Sequence, residues 1–490
     1  MQAEEFRRAG RLLVDEIAEF LSSLPDRSVV PNEPPRKIRK ILGQSSLPQQ
    51  GKSAETLLKE ATQLFFNHSV FNGHPRFWGY ITSSAAPLGA LGDLLAASVN
   101  PNVGAWALSP IASEIEAQTV RWMGEMLGYP PEADGLLVSG GNMANFIGFL
   151  AARRAKTSWD VRKSGMAGTN SPLLVYCSEE THTWIQKATD LFGLGTDSIR
   201  WVPTDEGLRM DTSELRRRLD DDREEGGEPF LVIGTAGTVG TGAIDPLTEL
   251  ATICREYDLW FHVDAAYGGF AAVLPDAPKE LRAMGDADSI AVDPHKWLYS
   301  PLEAGCALVR DAAVLRDTFS YHPDYYKFDE VRGEAPVNYF DYGPQNSRGF
   351  RALKVWLGLR QAGREGYVKM ISDDIRLSKE LYRLAEADPE LEALTQSLSI
   401  TTFRYLPTDL RGTPEEREAY LNALNASLLT LLQEGGEVFL SNAVVGGKFA
   451  LRVCVVNFRT NSKDIAALPV IVKRVGRQLD TEMRPEGLRK

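Results

Sequence analysis

The chain has 490 residues, 43% of them hydrophobic and 24% charged, which is ordinary for a water-soluble protein of two or three domains and excludes a disordered chain. Its 54 basic and 66 acidic residues give a formal net charge of −12, which argues against nucleic acid or an anionic membrane as the main partner. Because no stretch approaches the roughly 18 consecutive apolar residues of a membrane helix, and the first ten residues lack a signal peptide's apolar core, we expect a cytoplasmic protein.

The first predicted element is a helix over residues 1 to 24, where Phe6, Leu12, Ile17 and Leu21 recur at helical spacing before several prolines. This apolar face must be buried either on its own chain or on a second subunit, and we favour a homodimer, the commonest oligomer. Residues 71–87 and 100–116 follow, dense in aromatic and turn residues without a regular period. Such segments are typical of a pocket wall, with core packing as the alternative for each aromatic residue.

A glycine pair comes next, between a short strand and a helix. An amphipathic helix is predicted at 111–128, and then an apolar strand leads through Ser139, Gly140, Gly141 and Asn142 into another helix. Glycines at a helix start let backbone N–H groups approach an anion, which the helix dipole also favours. We therefore expect a phosphate-binding turn here, although the same residues also occur in plain turns.

The middle of the chain alternates between strands and helices. We predict a strand ending at Cys177, a helix from about His182, strands at 198–203, 229–235, 259–263, 289–292 and 305–309, and helices at 211–222 and 246–257. This order predicts a mainly parallel sheet covered by helices on both faces. Ligands of such sheets bind at the carboxyl ends of the strands.

Two of these strand ends carry the residues for one particular chemistry. Lys296 follows the strand at 289–292, and a desolvated lysine is a nucleophile toward carbonyls, whereas a solvated lysine would only cap the strand. Asp264 ends the strand at 259–263, where a carboxylate can hold a proton on a pyridine nitrogen. Pyridoxal phosphate is the cofactor that requires both groups. Thr238, in a Gly/Thr loop at the same edge, is a further candidate cofactor contact.

The motifs HVDAAYGG (262–269) and DPHKWLYSP (293–301) together resemble the group II decarboxylases of the pyridoxal phosphate fold type I superfamily, the aromatic L-amino acid decarboxylase family. The resemblance runs from about residue 5 to about residue 475. It implies a fold type I α/β domain with a mainly parallel sheet, a helical N-terminal arm and a small α+β C-terminal domain. We expect boundaries at 1–100, 101–390 and 391–490, and a homodimer with its active site at the subunit interface.

The resemblance also implies roles for individual residues. Lys296 binds the cofactor, Asp264 keeps its ring nitrogen protonated, His182 stacks on the ring, and Tyr325 on a mobile loop donates a proton with help from His295. The remaining cofactor contacts are expected at Gly140, Gly141, Asn142, Thr238, Ala266 and Asp293, and the substrate contacts at Phe77, Tyr80, Thr82 and Trp106. Val103 and Gly104 stand where aromatic-specific animal members carry a bulky aromatic residue, so the pocket shape differs there.

We therefore predict a lyase that decarboxylates an L-amino acid, with tryptophan, tyrosine, phenylalanine or dopa favoured over aspartate, glutamate or 2,4-diaminobutyrate. An aldehyde synthase of the same fold is the alternative, and such relatives carry phenylalanine where this chain has Tyr325. A non-catalytic binding protein should have lost Lys296 or Asp264, and both are present. The four cysteines and six histidines have no metal-ligand spacing, so no metal site is predicted.

Overall fold

The structure is a computed structural model that describes residues 1–169, 171–322 and 336–489, so the predicted loop residue Tyr325 lies outside the described residues. The chain divides into two compact units. The first unit comprises residues 1–84, 377–395 and 401–490, and the second comprises 85–376 and 396–400. The predicted domain boundaries at residues 100 and 390 stay a prediction.

The first unit begins with three helices, α1 (Ala3–Ser23), α2 (Pro35–Leu42) and α3 (Ala54–His68). Helix α1 matches the predicted helix at 1–24. It packs on α3 near its end, where the ring of Phe20 stacks on Phe66 with 4.3 Å between centroids and meets Phe71 edge-on at 5.2 Å. Such aromatic pairs fix the helix ends more firmly than area burial alone.

The second unit carries the predicted alternation of helices and strands. Its elements in chain order are α4 (Pro87–Val99), α5 (Pro110–Leu127), β1 (Asp134–Val138), α6 (Gly141–Lys156), α7 (Val161–Ser164), β2 (Leu173–Ser178), α8 (Trp184–Leu191), β3 (Ile199–Val202), α9 (Thr212–Glu224), β4 (Glu228–Thr235), α10 (Leu247–Glu256), β5 (Trp260–Asp264), α11 (Lys279–Arg282), β6 (Ser289–Val292), α12 (Pro294–Trp297), β7 (Gly305–Val309) and α13 (Ala313–Phe319).

Within the described residues, the strands of this unit form one seven-stranded sheet in the order β1-β7-β6-β5-β4-β2-β3. Strands β2 to β6 pair in parallel, and β7 is antiparallel to both β6 and β1. Strands β2, β5, β6 and β7 are buried along their whole length, which is why they read as continuous apolar runs rather than alternating ones. Asp264 lies opposite Ala291 of β6, so the carboxyl ends of β5 and β6 meet at one edge.

The chain then continues through α14 (Ala352–Glu386), which is interrupted at Gly363 by a left-handed φ of 63°. The elements that follow are β8 (Leu391–Ser397), β9 (Ile400–Tyr405), α15 (Pro414–Glu434), β10 (Ser441–Val445), β11 (Lys448–Cys454) and α16 (Ser462–Met483). The four strands form a second sheet in the order β10-β11-β9-β8. Helix α15 begins with a capping box between Thr413 and Glu416, which satisfies two of its first backbone N–H groups. No helix in the described ranges is both long and apolar enough to cross a membrane.

Candidate active site

The turn after β6 carries the predicted cofactor lysine beside a buried carboxylate. The Nζ of Lys296 lies 3.0 Å from Oδ2 of Asp293, and the two side chains are 19% and 2% exposed. The other oxygen, Oδ1 of Asp293, is buried without a hydrogen-bond partner among the described residues. Because buried polar atoms are nearly always satisfied, this oxygen indicates that a further polar group belongs here.

A second buried carboxylate holds the turn around Lys296 through two hydrogen bonds. Trp297 Nε1 and Tyr299 Oη both donate to Oδ2 of Asp374, at 2.9 and 2.7 Å. The Trp297 indole also stacks on the ring of Tyr267 with 5.0 Å between centroids. The neighbours of Lys296 are therefore locked by hydrogen bonds and packing, which limits the positions that the lysine amine can reach.

His295 lies on the other side of this lysine. Its Nδ1 is 2.6 Å from the carbonyl oxygen of Ala304, and its Nε2 is 3.7 Å from Oδ2 of Asp293. Burial lowers the pKa of His295, and the Asp293 charge opposes this shift. The backbone N–H of Ala304 also lies 3.2 Å from Nδ1, so both backbone groups of Ala304 hold this edge of the ring, and Nε2 faces the carboxylate side of the site.

The glycine pair at the start of α6 lies against these residues. A Cβ on Gly141 would come within 2.8 Å of Asp293 Oδ2 and 3.2 Å of the Ala266 Cβ, and Gly140 adopts a φ of 153° that side chains rarely allow. Only glycine therefore fits beside Asp293 without a shift. The N–H groups of the first turn are left without side chains over them, as an anion-binding helix start requires. Asn142, the next residue, is partly exposed.

Asp264 ends β5 as a buried carboxylate with three donors. Oδ2 accepts from Trp184 Nε1 at 2.8 Å and from Asn145 Nδ2 at 3.2 Å, and Oδ1 accepts from the backbone N–H of Ala266 at 3.2 Å. Three donors to one carboxylate hold it in a fixed orientation. The Asp264 carboxylate can keep a proton on a ring nitrogen that lies against it.

His182 lies between the end of β2 and the start of α8. Its side chain is exposed, and its Nδ1 accepts a hydrogen bond from the backbone N–H of Trp184 at 3.2 Å. In its neutral form His182 therefore carries its proton on Nε2. Stacking on a cofactor ring stays a prediction for this residue.

Thr238 and Trp106, both in the second unit, are bonded within their own segments. The Oγ1 of Thr238 accepts from the backbone N–H of Ala243 and lies 3.2 Å from Oγ1 of Thr241. The indole Nε1 of Trp106 donates to Glu114 at 2.8 Å. Both side chains thus have local hydrogen-bond partners, and the predicted cofactor and substrate contacts stay predictions.

The other three predicted substrate residues, Phe77, Tyr80 and Thr82, lie in the first unit. Phe77 is buried and stacks on Phe439 with 4.9 Å between ring centroids, which is a core contact. Tyr80 is 61% exposed, and its carbonyl oxygen accepts a hydrogen bond from Arg452. Thr82 is partly exposed.

Sequence reasoning missed the side chains that hold Asp264. Asn145 lies three residues after the predicted phosphate-binding turn, on a helix face whose other members are apolar and buried. A lone polar residue on a buried face was a usable signal, because such a residue needs a partner. Trp184 gave a weaker signal, namely that a buried indole N–H generally finds an acceptor.

The residues present fit pyridoxal phosphate. The aldehyde would react with Lys296, the phosphate would bind at the glycines that start α6, and the pyridine nitrogen would face Asp264. The unsatisfied Asp293 Oδ1 is a further polar atom that a bound group can complete. Among the described residues, no cluster of three or more histidine, cysteine or acidic side chains is placed to hold a metal ion.

Comparison with known proteins agrees with this geometry. Residues 35–405 match the family model described as the pyridoxal-dependent decarboxylase conserved domain. The chain belongs to the pyridoxal-dependent decarboxylase family. One relative in this family, the aromatic-L-amino-acid decarboxylase of Bacillus atrophaeus, is 32% identical over 98% of this chain and 97% of its own length.

Two further similar proteins are an aldehyde synthase and a protein of known crystal structure. A phenylacetaldehyde synthase from a Rosa hybrid cultivar is 30% identical over 95% of this chain and 92% of its own. The crystal structure of Oryza sativa TDC with PLP and tryptamine is 26% identical, covers 98% of this chain and 99% of its own, and superposes with a TM-score of 0.89. The predicted family, fold class, enzyme class and pyridoxal cofactor are therefore confirmed. The roles of individual residues stay predictions.

Proposed function

We propose that this decarboxylase acts on an aromatic L-amino acid, at the site around Lys296 and Asp264. The observation that carries the proposal is the placement of both residues at the adjoining ends of β5 and β6, each held by buried partners. The named activity of the Bacillus relative supports an aromatic substrate. An acidic or diamino acid is the alternative substrate class.

The bound cofactor supplies an electron sink for the electron pair that remains when the substrate carboxylate leaves as carbon dioxide. Asp264 keeps the ring nitrogen protonated. Asp293 holds the Lys296 amine through the 3.0 Å contact and so would set its position toward the cofactor aldehyde. The glycines at the start of α6 and Asn142 bind the phosphate.

Decarboxylation to an amine also requires a proton at the substrate α carbon. We assign this proton to the hydroxyl of Tyr325, a role that the resemblance implies for this residue. His295 stands next in chain to Lys296 and assists, while His182 covers the ring and presents its Nε2 proton. Rapid protonation at the α carbon favours the amine over an aldehyde.

Product analysis tests the substrate class directly. Purified protein, loaded with pyridoxal phosphate, is incubated with each of the twenty L-amino acids and dopa, and amines and aldehydes are measured by mass spectrometry. We expect an aromatic amine as the main product, and none from Lys296→Ala. Reduction with borohydride followed by peptide mapping should find the cofactor on Lys296. An acidic or diamino substrate turned over fastest would overturn the aromatic assignment.

We further propose that the protein is a homodimer with its active site at the interface. Helix α4 in the second unit exposes Leu91, Leu94, Leu95 and Val99, which share one face, whereas its glycines are buried. In the first unit, α1 exposes Phe6, Leu12, Val14 and Ile17. Apolar faces of this kind on a folded chain mark contact surfaces, and a second copy is the commonest occupant.

A charge placed on the α4 face tests the dimer. Leu95→Glu should shift the protein toward a monomer in analytical ultracentrifugation, because a carboxylate cannot be desolvated cheaply in an apolar interface. Leu191→Glu is the matched control, since Leu191 is an exposed leucine at the end of α8. A Leu95→Glu protein that sediments like the control would count against this surface. We place the protein in the cytoplasm, which fits the burial of its four cysteines.

A further inference from the structure

Behind Asp264, four buried side chains form a continuous series of hydrogen bonds, which we name the relay: Asn145, His262, Ser289 and Trp260. Asn145 donates to Asp264 at 3.2 Å, and its Oδ1 lies 2.7 Å from His262 Nε2. His262 Nδ1 lies 2.8 Å from Ser289 Oγ, which accepts from Trp260 Nε1 at 2.8 Å. All four residues lie in the second unit.

The Asp264 end of the relay and the neutral imidazole fix the direction of its bonds. The Asp264 carboxylate accepts, so the Asn145 amide nitrogen faces it and the Asn145 oxygen accepts from His262 Nε2. The Nδ1 of the neutral ring then accepts from Ser289 Oγ, which itself accepts from Trp260. The reverse order would set the Asn145 oxygen against the carboxylate, with two acceptors in contact. Burial lowers the pKa of His262 to about 4, so the ring is neutral near pH 7.

The fold leaves space for the His262 ring because the residue of α6 that faces it is a glycine. His262 precedes Asp264 by two residues, so both project from the same side of β5, and His262 lies in register with Ser289 of β6. A Cβ on Gly148 would come within 2.6 Å of the imidazole. Asn145 and Gly148 are three residues apart on α6, so one helix face supplies both the amide and the space for the ring.

We propose that the relay positions Asp264: Asn145, oriented by His262, keeps the carboxylate turned toward the ring nitrogen of pyridoxal phosphate. The proposal rests on the role proposed for Asp264 above. Asn145 and His262 are positioning residues, because they act through Asp264 and contact neither substrate nor reacting atoms. Without the His262 donor, the Asn145 amide could rotate and present its oxygen to the carboxylate.

The test compares binding of pyridoxal phosphate with binding of its analogue that has a carbon in place of the ring nitrogen. Both ligands carry the same aldehyde and phosphate, so the ratio of their dissociation constants isolates the ring nitrogen. We expect Asn145→Leu to weaken binding of pyridoxal phosphate about tenfold or more, as for loss of a hydrogen bond to a charged group, and to leave the analogue within about twofold. Tryptophan fluorescence quenching of the cofactor-free protein supplies the readout.

Two variants at His262 and one control complete the set. His262→Phe should weaken binding of pyridoxal phosphate relative to the analogue, as Asn145→Leu does. His262→Gln should keep the wild-type ratio of the two dissociation constants, which we call the selectivity, because its amide nitrogen can donate to Asn145 in place of Nε2. Asn425→Leu is the matched control, since Asn425 is as deeply buried and hydrogen-bonded in the first unit. It should leave the ratio of the two dissociation constants unchanged.

Equal weakening of both ligands by Asn145→Leu and His262→Phe would overturn the proposal and leave the relay a structural feature. Failure of His262→Gln to keep the selectivity would do the same for the orientation argument. Asp264→Ala distinguishes failure of the relay from failure of the role proposed for Asp264. If that variant also binds both ligands with the wild-type ratio, the role proposed for Asp264 fails; if it loses selectivity while the relay variants keep it, only the relay fails.

Discussion

Protonation of His262 opposes folding, because the folded protein buries this ring completely. Its pKa falls from 6.5 to about 4 on burial, a difference of about 2.5. At about 1.4 kcal/mol per pKa unit, the folded state loses about 3.5 kcal/mol relative to the unfolded chain once both are below their pKa. The unfolded chain takes up its proton first. This stability is therefore fully present above pH 6.5, falls as the pH drops, and is lost once the pH is below about 4.

The variant His262→Gln isolates this contribution, because it keeps the relay donor and cannot titrate. Between pH 7 and pH 4.5 the wild type should lose about 2 kcal/mol more free energy of unfolding than the variant. Urea unfolding of the cofactor-free proteins at several pH values measures the difference, with His68→Gln, on a partly exposed helix end, as the control. Parallel stability curves for the wild type and His262→Gln would refute the reasoning that His262 is neutral and buried.

The other predictions concern the cofactor site, the product and the subunit contact. Gly141→Ala should bind pyridoxal phosphate weakly in a fluorescence titration, because its Cβ would press on Asp293; unchanged affinity would argue against this turn. Tyr325→Phe should still release carbon dioxide but make less amine, with aldehyde and peroxide appearing under air. Amine at the wild-type rate would show that Tyr325 is not the proton donor. Deletion of residues 1–30 should cost solubility or dimerisation in size-exclusion chromatography, and a dimeric, active product would show that the arm was misread.

The sheet could be predicted closely because most of its strand residues are buried and its strands are sharply bounded. The predicted strands at 289–292 and 305–309 have the bounds of β6 and β7, and the helix predicted at 246–257 is α10 to within a residue at each end. Continuous apolar runs flanked by polar or turn residues leave little freedom in where a strand begins. Lys296 and Asp264 followed from those same boundaries, since each stands directly at or after a strand end.

The partners of Asp264 could not be predicted in the same way, because they come from other elements. Asn145 is 119 residues from Asp264 in sequence and Trp184 is 80 residues from it. A pattern within one segment indicates which face is buried but gives no information about which buried atom lies opposite. The directions of the hydrogen bonds could not be predicted from the sequence either, because they follow from the accepting carboxylate of Asp264 and the single ring proton of neutral His262.

The relay nevertheless explains how a histidine two residues before Asp264, in the sequence HVD at 262–264, can support that aspartate. Alternate residues of a strand face the same side, so a histidine two positions before the aspartate is carried to the helix that covers the sheet on that side. There the imidazole fits only beside a glycine, and Gly148 supplies that space one turn from the amide that the ring orients. A larger residue at 148 would displace the ring and leave Asn145 unoriented, even though neither residue contacts the lysine. The role proposed for Asp264 thus predicts that selectivity for a ring nitrogen also depends on the glycine at 148.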